Sequence, residues 1–472
     1  MKQNDSVPVR TGIEQRLSLF AEPEKHIALD TVALVVGPYE TRKSSGKKMN
    51  VRFVRSTNAR LEEIRGLALA IDLKVVETLY VPLGDIRPAT YIGKGKVEEI
   101  SNFVKSHSVQ LVIMDCALSP IQQRNLEKEF QTKVIDRTGL ILEIFGRRAH
   151  TKEGLLQVEH AHLAYQKSRL VRSWTHLERQ RGGYGFLGGP GETQIESDRR
   201  MIQERMGRIE RELEVVKRTR ALHRAGRKRI PFPVIAFVGY TNAGKSTLFN
   251  KLSAASVLAE DMLFATLDPT SRAVKLPHGE TVIVSDTVGF ISELPTMLVA
   301  AFRATLEDVI TADILLHVRD ISDQETDAQA EDVRKVLRDI DIDPSDSQKV
   351  IEIWNKADCL SLEEKQKLEM QIARWPYPEK PILLSALTGE GAETLLEEIE
   401  RRLSLEKRVF EVHISLEDGQ SSAWLHEHTE VLSRTVKDDS YFVFEIRVTQ
   451  KRSGEFLKRF PDAVQVFKQL DE

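Results

Sequence analysis

Between Val234 and Ser253 the chain reads VIAFVGYTNAGKSTLFNKLS. A run of apolar residues that suits a buried strand leads into Gly239–Ser246, a match to G-x-x-x-x-G-K-[ST], and helix formers follow. Nothing else in the sequence restricts the fold as tightly. Strand, phosphate-cradling loop and helix in that order open a doubly wound α/β domain, whose ligands sit at the carboxyl ends of the strands. In such a loop Gly239, Tyr240 and Thr241 lead to the backbone N–H groups of Asn242, Ala243, Gly244, Lys245 and Ser246, which wrap phosphates at a helix N-terminus. Lys245 would neutralise the β- and γ-phosphates, and the Ser246 hydroxyl would reach Mg²⁺.

The motifs downstream come in the order such a domain requires. TVIVSDT (Thr281–Thr287), ADILLHVRD (Ala312–Asp320), KVIEIWNK (Lys349–Lys356) and ILLSA (Ile382–Ala386) read as strands. FATLD supplies Phe264, Ala265, Thr266, Leu267 and Asp268, with Thr266 placed to complete Mg²⁺ coordination and sense the γ-phosphate. DTVG puts Asp286 near the ion through water, with Thr287 and Val288 leading to the Gly289 N–H near the γ-phosphate. Lys245, Thr266 and Gly289 are therefore the catalytic candidates. In NKAD (Asn355, Lys356, Ala357, Asp358) the last carboxylate can accept from guanine N1–H and its 2-amino group. Adenine offers neither donor and would leave that carboxylate unpaired, so the base is expected to be guanine and the ligands GTP and GDP. SAL (Ser385, Ala386, Leu387) would aim a backbone N–H at guanine O6.

One catalytic part is missing. Where Ras-like enzymes carry a Gln after the D-x-x-G glycine to orient attacking water, this chain has Phe290, so unaided hydrolysis should be slow. Either a partner rearranges the segment or a monovalent cation helps. Asn242 is the candidate K⁺ ligand, the alternative being that it only braces the loop, and equal rates in potassium and sodium would remove the ion.

A second glycine stretch, RGGYGFLGGPGET (Arg181–Thr193), matches G-x-G-x-x-G at Gly183, Gly185 and Gly188, but the helical SRLVRSWTHLERQ precedes it where a dinucleotide fingerprint needs a strand. Leu156, Leu163, Leu170 and Leu177 before it recur every seven residues, as do Ile195, Ile202, Ile209 and Val216 after it, with Met206 and Leu213 between. The expectation is an antiparallel helical hairpin with a glycine-rich tip, its arms of about 25 to 30 residues reaching roughly 40 Å. From Arg205 to Arg229 ten Lys or Arg stand against three Glu, ending in HRAGRKR, which suits either a solvated face or contact with phosphate backbone.

Before the hairpin, TVALVVG (Thr31–Gly37), KVVETLYV (Lys74–Val81), VQLVIMD (Val109–Asp115) and TKVID (Thr132–Asp136) read as strands, with helices near 57–71, 95–107 and 119–130, a small α/β domain with a largely parallel sheet. Gly93-Lys94-Gly95-Lys96 is too short for a second phosphate loop and reads as a tight turn or a minor phosphate contact. After Leu403, VFEVHISL, a helix near 421–434, SYFVFEIRVT and a short helix form a small α+β appendage. The chain thus divides into a tail (1–25), an α/β domain (26–150), the hairpin (151–229), the nucleotide domain (230–404) and the appendage (405–472).

Length and composition agree. At 472 residues the chain exceeds one core. No apolar run is long enough to span a bilayer, the first 25 residues show no export signal, and Cys116 and Cys359 have no partner pattern, so a cytoplasmic protein is expected. With 68 basic and 71 acidic residues the net charge is −3, and any nucleic-acid partner must meet a local patch.

ATYIGKGKVEEI (Ala89–Ile100), LSPIQQRNLE (Leu118–Glu127), VIDRTGLILEIFGRRAHTKEGLLQVE (Val134–Glu159), GGPGETQIESDRR (Gly188–Arg200) and the guanine-nucleotide motifs make the chain closely resemble the HflX family of translational GTPases, within the TrmE-Era-Obg-HflX group. The resemblance implies this same layout, binding to the 50S ribosomal subunit and its rRNA, and for some members the splitting of ribosomes after stress. It would place the hairpin tip near the peptidyl-transferase centre, where Arg179, Arg181 and Tyr184 could meet phosphates and stack on bases, with Arg227, Lys228 and Arg229 as further RNA contacts. Two departures stand out. The tip reads YGFLGGPG where many relatives carry a shorter RGPG form, and Leu387 replaces the usual Lys of the guanine loop, losing one stacking contact but keeping the Ala386 N–H. Two other readings are an assembly factor of the large subunit in which GTP is structural, and a metabolic nucleotide enzyme, which no acid–base pair or metal cluster supports. A monomer is expected.

Overall fold

A computed structural model describes residues 31–40, 55–173, 190–227, 232–253, 263–264, 270–277, 279–292, 303–405, 407–437 and 441–466. Two compact units divide the chain: Arg60–Leu140 with the stretch up to Ser45, and Gly46–Ala59 with Ile141–Glu472.

In the first unit β1 (Val32–Glu40), β2 (Lys74–Leu83), β3 (Leu111–Met114) and β4 (Lys133–Asp136) form one sheet in the order β2-β1-β3-β4, every pair parallel. β1 and β3 are near-continuous apolar runs, as strands covered on both faces must be. The helices are Thr57–Leu69, Lys94–Ser106 and Pro120–Phe130. Leu34, Val36, Val112 and Met114 pack with Val97, Ile100, Leu126 and Phe130 into the core. Local chemistry sets the last helix: Ser119 and Gln122 close a capping box, Pro120 opens the first turn, and Gln131 ends it in a left-handed conformation. Gly93 is the extended residue that starts Lys94–Ser106, and Lys96 pairs with Glu99 at 2.6 Å.

In the second unit the helices Lys152–Ser173 and Pro190–Arg227 pack against each other. Along the predicted seam Leu156 and Ile209 are buried, and Leu163, Leu170, Ile202, Met206, Leu213 and Val216 are half-buried. Arg205 clasps Glu159 through Nε at 2.7 Å and Nη2 at 2.9 Å, fixing the register of the arms. The second arm is longer than the spacing predicts: 38 residues, roughly 57 Å at about 1.5 Å per residue. Leu177 and the tip lie outside the described residues.

β5 (Val234–Gly239), β6 (Thr270–Lys275), β7 (Thr281–Asp286), β8 (Ile314–Asp320), β9 (Val350–Asn355) and β10 (Ile382–Leu383) build a six-stranded sheet in the order β10-β9-β8-β5-β7-β6, parallel except for β6 at the edge. β6 does not follow from the sequence pattern. Phe237, Leu316, Ile351 and Ile353 on one face pack against Leu248, Phe249, Leu395 and Ile399 of the flanking helices.

The last domain runs β11 (Lys407–Ser415), helix Gly419–His428, β12 (Glu430–Lys437), β13 (Tyr441–Thr449), helix Gln450–Arg459 and β14 (Val464–Val466), with antiparallel sheet order β12-β13-β11-β14, a split β-α-β unit. This corrects the helix expected near 421–434. It stops at His428, and EVLSRTVK becomes a strand because β13 pairs with it from Glu430↔Arg447 to Lys437↔Tyr441, and Arg434 lays its guanidinium 3.7 Å from the centre of the Phe442 ring.

Candidate functional site

The phosphate loop is a sequence of backbone conformations that few residues tolerate. Asn242 (φ 60°) is left-handed, which Asn adopts more readily than most side chains, and Gly244 follows at φ 91°. A Cβ on Gly244 would also collide with Asn355 Nδ2. The helix Lys245–Ser253 starts directly after, so the loop N–H groups and the helix N-terminus face the same place.

Lys245 is buried; its Nζ donates to Gly239 O at 3.2 Å and Tyr240 O at 2.7 Å. Burial lowers its pKa to about 8, against the opposing pull of Asp286. Asp286, fully buried at the end of β7, accepts from Ser246 Oγ at 2.7 Å. A hydroxyl beside a carboxylate is a set of hard oxygen donors, and it fits a divalent ion such as Mg²⁺.

The D-x-x-G segment is strapped to the loop. Phe290 N donates to Gly239 O at 3.0 Å, and Thr241 N donates to Phe290 O at 2.7 Å. A side chain on Gly289 would come within 2.9 Å of Lys245 Nζ and of Thr241, so only glycine fits between them. Thr287, buried, donates to Phe237 O at 2.5 Å, and Val288 is buried beside it. Phe290 is buried as well, so its ring faces the interior.

The end expected to read the base is built by Asn355 at the end of β9. Its Nδ2 donates to Ala243 O at 2.8 Å and its Oδ1 accepts from Ala386 N at 2.9 Å, tying the phosphate loop to the Ser385–Leu387 loop. Lys356 is left-handed (φ 66°) and pairs with Asp320 at 2.6 Å, while Ala357 is buried. Asp358 accepts from Ser385 Oγ at 2.5 Å, and that bond holds its carboxyl below the usual range. Leu387 is 72% exposed.

The structure thus brings together Gly239–Ser246, Asp286–Gly289, Asn355–Asp358 and Ser385–Leu387 at the ends of adjacent strands. Phe264 is buried, its ring edge-on to Phe145 at 4.8 Å. Ala265, Thr266, Leu267 and Asp268 lie outside the described residues, as do Arg179, Arg181, Tyr184, Lys228 and Arg229. Arg227 is the last residue of its helix. His317 is buried in β8, and burial lowers its pKa to about 4, which keeps it neutral. Sequence reasoning missed Arg55, which donates to Tyr240 Oη at 2.9 Å and Ser292 Oγ at 3.1 Å; no spacing in the chain signals it.

A P-loop at the end of β5, with a guanine-type N-K-x-D at the end of β9, defines a GTP-binding protein of the GTPase class. Family models agree: GTP-binding GTPase N-terminal over 58–146, GTP-binding GTPase Middle Region over 148–227, 50S ribosome-binding GTPase over 234–356 and HflX C-terminal domain over 373–469. GTPase HflX of Magnetococcus marinus is 50% identical over 387 residues, 82% of this chain and 88% of that protein. GTPase HflX of Escherichia coli is 41% identical over 394 residues, 82% and 90%. The chain belongs to the HflX family of GTPases. Among solved structures, a GTP-binding protein of Sulfolobus solfataricus in complex with GDP is 24% identical, covering 79% of this chain and 98% of that one with a TM-score of 0.42. No helix among the described residues is long and apolar enough to cross a membrane.

Proposed function

We propose that this GTPase binds the 50S ribosomal subunit and uses GTP to time the splitting or rescue of stalled 70S ribosomes under stress. The observation that carries the reading is that phosphate-holding and base-reading groups converge at one set of strand ends, in a unit that also carries a long helical hairpin ending in basic sequence. Matching to a 50S ribosome-binding GTPase model and to HflX relatives supports it.

In this reading Lys245 and the loop N–H groups hold the β- and γ-phosphates, and Asp358 selects guanine. The Gly289 N–H, strapped to the loop through Phe290, and Thr266 report whether a γ-phosphate is present. Ser246 and Thr266 would hold Mg²⁺, with Asp286 oriented toward it through water, and the ion would neutralise charge on the phosphates. Asn242, held left-handed in the loop, is the proposed K⁺ ligand, which equal hydrolysis rates in potassium and sodium would exclude. Arg179, Arg181, Tyr184, Arg227, Lys228 and Arg229 are proposed to meet rRNA.

The test is sedimentation of 70S particles with the protein and a non-hydrolysable GTP analogue. Free subunits should accumulate; co-migration with intact particles would overturn the splitting role. Strong stimulation of hydrolysis by mature 50S subunits is also expected, and its absence would favour an assembly factor in which turnover is incidental.

A further inference from the structure

Arg55 stands just ahead of the helix Thr57–Leu69, far along the chain from every nucleotide motif. In the fold its guanidinium lies on the phosphate loop. Nη1 donates to Tyr240 Oη at 2.9 Å and to Ser292 Oγ at 3.1 Å, and its central carbon sits 5.3 Å from the centre of the Tyr240 ring. Ser292 N donates to the same phenol oxygen at 2.8 Å, so two donors converge on Tyr240 Oη. The next residue, Ser56, donates its N–H to Glu325 Oε1 at 3.0 Å, which anchors the strap where it enters the helix.

These contacts bear on the reacting end of the site. Gly289 lies against Lys245 and Thr241, and Phe290 is bonded to both sides of Tyr240 through Gly239 O and Thr241 N. The segment Gly289–Ser292 is therefore fixed at one end by backbone bonds and at the other by Arg55 through Tyr240. With Phe290 offering no hydrogen-bonding side chain for water, the placement of the Gly289 N–H carries more of the work.

We propose that Arg55 is a positioning residue for GTP hydrolysis: by pinning Ser292 to Tyr240 it keeps the Gly289 N–H within its working range of the γ-phosphate. Arg55 touches Tyr240 and Ser292, which flank the Gly289–Phe290 segment, so it acts on rate rather than on nucleotide affinity. The proposal rests on the GTPase reading, which hydrolysis by the unaltered chain tests separately.

The experiment uses the full chain and compares Arg55→Ala, Arg55→Lys, Tyr240→Phe, Ser292→Ala and the double variant Arg55→Ala/Tyr240→Phe. For Arg55→Ala, kcat should fall about five- to twentyfold while KM for GTP and Kd for GDP stay within about twofold. Tyr240→Phe should do the same, and the double variant should be no slower than the slower single, because both remove one shared contact. Arg55→Lys should recover part of the rate. An unchanged or raised kcat in Arg55→Ala, a KM effect without a kcat effect, or losses that multiply would overturn the proposal. If Arg55→Ala does not fold, Ser292→Ala with GDP binding intact gives the same reading: reduced kcat supports it and full kcat overturns it.

Discussion

The four-stranded sheet of the first unit and the inner strands of the six-stranded sheet in the second are both parallel, and both carry charged residues at their carboxyl ends. They use them in opposite ways. In the first, Tyr39 donates to Asp115 Oδ2 at 2.5 Å, Arg137 donates to Asp115 Oδ1 at 2.7 Å and to Glu63, and Asp136 accepts from Leu118 N and Gly139 N, all of it buried. Burial works to lower the Arg137 pKa, yet Asp115 and Glu63 hold it above its ordinary value; burial and then Asp115 raise that of Tyr39. In the second, Lys245 donates to two carbonyl oxygens of its own loop, and the neighbouring backbone runs through Gly244 and Gly289, where a ligand can come close. Charge at a strand end marks a site where its partners are exchangeable and the backbone is approachable. Where carboxylate and guanidinium are committed to each other, the same charges close the sheet.

The largest expected effect breaks the closed cluster. Arg137→Ala removes the buried guanidinium that Asp115 and Glu63 share and should cost about 3–5 kcal/mol in chemical unfolding of the full chain, while GTP affinity of the folded fraction stays unchanged. Lys245→Ala should do the reverse: GTP affinity falls by about 2–5 kcal/mol in titration calorimetry, and the unfolding midpoint without nucleotide holds or rises, since a desolvated ammonium is removed. If both variants damaged both properties equally, the two sheet ends would not differ in kind. A smaller effect sharpens the open end. Asp358→Ala removes the proposed acceptor for two guanine donors at an exposed position, at about 1 kcal/mol per bond; GTP should weaken, ATP should not, and a preserved guanine preference would show that another group reads the base.

How much of this is legible in the sequence depends on whether a feature is local. The phosphate loop, DTVG, NKAD and SAL read directly, because close backbone approach at a strand end demands glycine and a short list of side chains within a few positions. The parallel strands read from apolar runs such as VALVVG in β1. β6 does not: TSRAVK exposes most of its residues at the sheet edge, and only its pairing with β7 makes it a strand. β12 was hidden for the same reason, since EVLSRTVK has neither a clean helical nor a clean strand period and β13 decides between them. Arg55 meets partners 185 and 237 residues away, and no pattern within one element encodes such a contact.

The smallest predicted effect is a titration. Without nucleotide the buried Lys245 has a pKa of about 8, against its ordinary 10.5. Below about pH 8 the ammonium is already charged and would meet the phosphates directly. Between about 8 and 10.5 the folded protein holds a neutral amine, so binding a triphosphate must take up a proton, and Kd for GTP should weaken by up to about tenfold per pH unit. Stability of the nucleotide-free chain moves the other way: in that window the unfolded state binds more protons than the native one, so this group's contribution to stability rises with pH. Titration calorimetry at pH 7 and pH 9, in two buffers of different ionisation enthalpy, separates the cases. Proton uptake should be near zero at pH 7 and approach one at pH 9, and Lys245→Met should abolish it. A Kd that does not change with pH, with no uptake at pH 9, would mean that the carbonyls of Gly239 and Tyr240 and the carboxylate of Asp286 keep the ammonium charged, and that this end of the site is as internally satisfied as the Arg137 cluster.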